Sequence, residues 1–359
     1  MAEAAGGGKD RSKGESEFPA YAPSWIDRVT GWVGRRPGPS WGYYAGLGLG
    51  LLLVQVLVLW IEGSFATGTF FPAQVFTAGI IAYFLALFEY LDNRAAAALS
   101  TLRPALKATE EEYGRLRYEI TTLPARPTLL ASVVTLLIAT VPESLWGTLS
   151  SYEALVAASP ISGALVYSIY LITWCMFGAL IYRTIRQMRL INRIYTRYTR
   201  INLFRMGPLY AFSGLSAVMA VGLTVPPYGF MAINQEILYD TRSVGVVFLV
   251  TVLAVATFAW PLLGIHRLLV KEKDRLLEES SRRLEATIVE LHQRVDSAEL
   301  EGMMDLNMAI ASLEIEQQAL SRIPTWPWQP ETVRLLATAL LLPLVLLLAQ
   351  VILQFFAGS

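Results

Sequence analysis

Charge is scarce in this chain. Asp, Glu, Lys and Arg make up 16% of its 359 residues, and hydrophobic residues make up 54%. A soluble domain carries about a quarter charged residues, so much of this surface is expected to face lipid rather than water. The mean hydropathy of +0.45 points the same way. Cysteine is limited to Cys175, which excludes an intrachain disulfide and a cysteine metal cluster. Histidine is limited to His266 and His292, too few for a histidine metal site or relay within one chain. Lys plus Arg equals Asp plus Glu at 29 each, so no net charge argues for nucleic acid. The phosphate loop GxxxxGK[ST], the dinucleotide turn GxGxxG, HExxH and CxxC are all missing. The chain is therefore expected to be no enzyme and to hold no cofactor.

What is present is a set of long apolar runs. A spanning helix needs roughly 20 mostly apolar residues, because the hydrocarbon core is about 30 Å thick. Seven stretches qualify: Trp41 to Ile61, Phe71 to Leu91, Thr128 to Trp146, Pro160 to Tyr182, Pro208 to Val225, Ser243 to Ile265 and Thr332 to Leu353. The third and fifth are interrupted by proline near their ends, which leaves a re-entrant course open for either. The predicted fold is an all-α polytopic membrane protein of about seven transmembrane helices, with a cytoplasmic helical hairpin between the last two.

Basic residues supply orientation. The N-terminal segment, the second-to-third loop, the fourth-to-fifth loop and the start of the sixth-to-seventh loop are rich in Lys and Arg. Residues 62–72 and 142–159 hold neither, and the fifth-to-sixth loop holds only Arg242. By the positive-inside rule the N-terminus is cytosolic and the C-terminus is outside, in a multi-pass protein of the cell membrane. Residues 1–24 read as a disordered cytosolic tail. Residues 25–267 form a six-span region with cytosolic amphipathic helices at 93–122 and 183–205. Residues 268–322 form the hairpin, and residues 323–359 an elbow and the final span.

The hairpin rests on a heptad-like seam. Leu277, Leu284 and Leu291 recur every seven residues, as do Leu306, Leu313 and Leu320. Span six leaves the membrane and span seven re-enters on the same side, so the rod must turn, and Gly302 lies between the two halves. The arms either pack only on each other or also join subunits. The elbow carries Pro324, Trp326, Pro327, Trp328 and Pro330, which forbid a continuous helix into span seven. It is expected to be a stiff interfacial anchor, or else a gating joint.

Three further features bear on function. Arg186, Arg189, Arg193, Arg197 and Arg200 recur every three or four residues on one helical face. They are a topology determinant or a site for anionic lipid headgroups or another anionic ligand. Gly42, Gly46 and Gly50 line one face of span one, where small residues let helices approach closely, within one chain or between chains. Gly222 to Gly229, with Pro226 and Pro227, reads as an outer turn or a re-entrant loop. Ionisable groups are missing from span centres, which argues against coupled transport. The leading expectation is a homo-oligomeric channel-like assembly, passive and gated or assembled through the hairpin. The alternatives are a non-conducting scaffold or signalling partner, and then a secondary transporter. Membrane lipids, anionic ones included, and further copies of the chain are the expected partners.

Overall fold

The computed structural model describes residues 21–63, 68, 72–146, 160–199, 202–204, 206–233, 241–298, 301–326, 333–334 and 337–338. Residues 1–20, Arg200, Pro327, Trp328, Pro330 and all but four residues of the expected final span lie outside these. Every named element among the described residues is helical. They are α1 (Trp25–Gly34), α2 (Ser40–Ile61), α3 (Pro72–Leu102), α4 (Glu110–Thr121), α5 (Ala125–Trp146), α6 (Pro160–Arg193), α7 (Ala211–Ile233), α8 (Thr241–Asp296) and α9 (Met303–Arg322). Five helical stretches are long and apolar enough to cross a membrane: Ser40–Ile61, Ala73–Ala105, Pro160–Tyr198, Gly207–Ile233 and Val244–Asp296. The apolar helix Ala125–Val141 is shorter.

Local chemistry sets the boundaries. α1 opens with a capping box: the Asp27 amide donates to Ser24 Oγ (3.3 Å) and the Ser24 amide to Asp27 Oδ2 (3.0 Å). Residues 21–24, expected in the tail, are therefore ordered. The Ser24 amide also donates to Leu123 O, and the Ala125 amide to Ala22 O, at 2.9 and 3.0 Å. The segment expected as one surface helix over 93–122 is divided. α3 runs on to Leu102, Pro104 sits in a 3-10 turn, and Thr109 with Glu112 caps a new helix, α4. Conversely, span four and the arginine stretch form one helix, α6, which ends in a π turn over Ile194–Tyr198.

α3 is the central helix. Phe84, Phe88, Leu91, Ala95, Leu99 and Leu102 lie on one of its faces and are fully buried. In lipid, apolar side chains gain little by leaving the solvent, so helices associate through shape and close packing. Gly178 illustrates this: a Cβ there would lie 2.6 Å from Ala131 O of α5, so only glycine permits this approach of α5 and α6.

The expected turn at Gly222–Gly229 is instead helical, because α7 continues through Pro226 and Pro227 to Ile233. A proline in a helix interior leaves the carbonyl four residues earlier without its donor. For Pro226 that carbonyl is Gly222 O, and the Tyr83 hydroxyl of α3 donates to it at 2.9 Å. A neighbouring helix thus supplies the missing bond inside the apolar region, as membrane helices require. α8 likewise continues through Pro261, so span six and the first hairpin arm are one helix of 56 residues. Between α8 and α9, Ala298 and Gly302 have φ of 56° and 78°, and α9 returns along α8.

Candidate functional site

The densest polar constellation lies where α6 meets α3, α4 and the segment before α1. Arg183 is its centre, with a side chain only 2% exposed. Its Nη2 donates to Asp92 Oδ1 of α3 at 2.7 Å and its Nη1 to Phe88 O at 3.4 Å, and the guanidinium lies 5.5 Å from the Phe88 ring centroid. Arg183 Nε is buried without a hydrogen-bond partner. One turn back along α3, Glu89 Oε2 accepts from the Tyr44 hydroxyl of α2 at 2.5 Å. α2, α3 and α6 are thereby tied at one level by charge-assisted bonds, which are about twice as strong as neutral ones.

Arg186 builds the second half. Its Nη1 donates to Glu119 O at 2.6 Å and Thr122 O at 3.0 Å. Carbonyls at the end of a helix lack intrahelical donors and carry partial negative charge, so the guanidinium is a side-chain cap for α4. Arg186 Nη2 donates to the Tyr21 hydroxyl at 2.5 Å, and that hydroxyl donates onward to Thr122 O at 2.9 Å. The Tyr118 hydroxyl closes the circuit at Tyr21 O, 2.7 Å away. Asp27 Oδ2 accepts from the Leu123 amide at 2.9 Å. Burial pushes the Tyr21 hydroxyl from its ordinary 10 up to about 12, against the opposing pull of Arg186. Burial also pushes the Tyr118 hydroxyl up.

The arginine face is thus divided. Arg186 is taken up internally, and Arg193 reaches Glu119 Oε2 at 3.4 Å while remaining half-exposed. Arg189 and Arg197 are exposed. Arg200 lies outside the described residues. Arg183 pairs with the Asp92 carboxylate, whereas Arg186 is engaged by two backbone carbonyls and the Tyr21 hydroxyl. Among the described residues no group of three or more His, Cys, Asp or Glu is placed to hold a metal ion.

The glycine face is open. A Cβ at Gly42, Gly46 or Gly50 would meet nothing within 4 Å, whereas one at Gly48 would touch Ala82 Cβ at 3.5 Å. Gly48 is thus the glycine of α2 that meets α3, and among the described residues nothing meets the stripe of three. Along the hairpin, Leu320 is buried, and Leu277, Leu284, Leu291, Leu306 and Leu313 are half-buried. Gln317 Nε2 bridges the arms to Ser281 Oγ at 3.1 Å. The described part of the elbow is held against α8. Lys273 Nζ caps α9 by donating to Ser321 O and Ile323 O, at 2.7 and 2.9 Å. The His266 and Trp326 rings stack at 3.8 Å with 7° between their planes. Pro324 is exposed beside them.

Sequence reasoning missed Arg183, Asp92 and Tyr21: the first two pair with each other, and Tyr21 pairs with Arg186. A signal existed for the first two, since opposite charges close the same ends of spans two and four. Tyr21 carried none. No protein family, curated protein or solved structure matches the chain.

Proposed function

We propose that this multi-pass membrane protein works as a homo-oligomeric, channel-like assembly whose passive pathway runs between subunits. The observation that carries the proposal is the Gly42, Gly46 and Gly50 face of α2, which no described residue covers. Such a face gains dispersion contacts only when another helix approaches it. The polar groups of the span interiors support a pathway between chains rather than within one. Gln55 Oε1 accepts from Thr77 at 3.1 Å, and Thr173 and Thr257 donate to carbonyls of their own helices. The two hydroxyls and the Gln55 carbonyl are thus occupied inside the bundle, while Gln55 Nε2 is buried without a hydrogen-bond partner. In this proposal the chain has seven spans, its N-terminus in the cytosol, its C-terminus outside, and its hairpin in the cytosol. Arg189, Arg193 and Arg197 then face anionic headgroups of the inner leaflet.

The second reading is a non-conducting scaffold, favoured by the bonds that the Arg183 and Arg186 guanidinium groups make to Asp92, Glu119 O and Thr122 O within the chain. Flux through vesicles separates the two. Wild-type protein in liposomes is expected to pass small ions passively, and Gly46→Leu, which crowds the open face of α2, is expected to reduce that flux several-fold. An assembly of several chains that passes nothing would overturn the channel reading in favour of the scaffold.

A further inference from the structure

α9 carries two apolar seams. Met303, Leu306, Ile310, Leu313 and Leu320 are buried or half-buried along α8. On the other side, Met304, Met308, Ala311 and Ile315 recur at intervals of four, three and four residues. Met304, Met308 and Ile315 are 75%, 58% and 68% exposed. At about 100° per residue the two seams lie roughly 160° apart on the helix. The outer one has the spacing of a coiled-coil seam, with Met308 and Ile315 at a positions and Met304 and Ala311 at d positions. A water-facing helix gains nothing from large apolar residues at such spacing unless something covers them.

We propose that the outer seam of α9 is covered by the same seam of a second copy of this chain, the two helices running parallel. The proposal rests on the homo-oligomeric reading above and specifies where copies meet outside the membrane. Three observations select this occupant. Copies in one membrane share an orientation, so their α9 helices run in the same direction about an axis along the membrane normal. In that parallel register the flanking positions avoid like charges: Asn307 faces Ser312 of the partner subunit, and Glu314 faces Ala319 of the partner subunit. An anionic membrane surface is disfavoured as the cover, because α9 holds Asp305, Glu314 and Glu316 against Arg322 alone, a net charge of 1 − 3 = −2.

The outer seam spans twelve residues, roughly 17 Å at about 1.5 Å per residue. That is too short to hold two free helices together, since isolated helices below about 12–15 residues are marginal. Here it need not act alone. Membrane anchoring raises the effective concentration of one α9 for another, and the hairpin already fixes each helix. The two methionines adapt their shape to a neighbour at little cost.

Cysteine crosslinking of the full chain in lipid vesicles tests this, because only a parallel pair brings two residues a heptad apart each beside its own copy. In a Cys175→Ser background, single cysteines would be placed at Met308 and Ile315 in the seam and at Ser312 and Glu316 beside it. The particle mass in nanodiscs would be measured on the same variants before oxidation. Met308→Cys and Ile315→Cys are expected to form disulfide-linked dimers at least tenfold faster than Glu316→Cys, with Ser312→Cys between. Equal, slow crosslinking at all four positions in particles of several chains would overturn the seam and leave the homo-oligomer standing. Single-chain particles without crosslinks would overturn both.

Discussion

Arg183 and Arg283 each pair with a carboxylate, in opposite surroundings. Arg183 meets Asp92 between α3 and α6 with its side chain 2% exposed. Arg283 meets Glu279 one turn away on α8 with its side chain 58% exposed, within a chain of like pairs that includes Arg275 with Glu272 and Arg294 with Glu290. Water and salt screen the second kind, and each exposed pair contributes little. For the first kind, desolvation has already been incurred by both charges, so removing either partner strands the other. The same bond is thus a fixed joint in the helix bundle and a solubilising ornament along the hairpin.

The largest expected effect tests that contrast. Asp92→Ala leaves Arg183 uncompensated and is expected to destabilise the bundle by about 3–5 kcal/mol, read as a lower thermal midpoint in detergent. Combining it with Arg183→Met removes the stranded charge and should recover most of the loss. A double variant no better than the single one would place the stabilisation elsewhere than in the pair.

Arg186→Met comes next. It removes charge-assisted bonds to Glu119 O, Thr122 O and the Tyr21 hydroxyl, worth about 2–3 kcal/mol together. Faster hydrogen exchange should be confined to residues 21–34 and the end of α4. Uniform loosening of the whole bundle would contradict a local capping role.

A smaller effect appears with pH. The folded state raises the Tyr21 hydroxyl from 10 to about 12, so folding favours its neutral form. That contribution is complete below pH 10 and is lost as pH rises through about 12. Wild type is expected to lose more thermal stability between pH 10 and 12 than Tyr21→Phe does. Parallel losses would remove Tyr21 from the account.

The smallest effect belongs to the hairpin. Arg283→Ala should change stability by no more than about 0.5 kcal/mol, and raised salt should erase even that. A loss comparable to that of Asp92→Ala would break the comparison.

The apolar runs of α2, α3, α6, α7 and α8 were legible because each is long and almost free of charge. Hydropathy measures a property of the segment itself. Pro104 and the Thr109–Glu112 capping box were also local, and their break between α3 and α4 was readable but overridden by the charge-rich pattern around it. Pro226 and Pro227 misled for the opposite reason. Proline ends a helix when the freed carbonyl has no donor, and Tyr83, 139 residues away in sequence from Gly222, supplies one. Arg186 looked like a lipid-facing member of a periodic face, since periodicity does not reveal that α4 ends beside it. The outer seam of α9 was hidden because its residues interleave with the inner seam, and only burial separates two heptads on one helix.

Assembly of copies of this chain in the membrane can be read from the mass of the particle in lipid nanodiscs. Self-assembly predicts a protein mass that is an integer multiple, two or more, of 39.7 kDa. It also predicts that Gly46→Leu, placed on the open face of α2, shifts the distribution toward one chain. Wild-type particles holding a single chain at every lipid composition tested would contradict it.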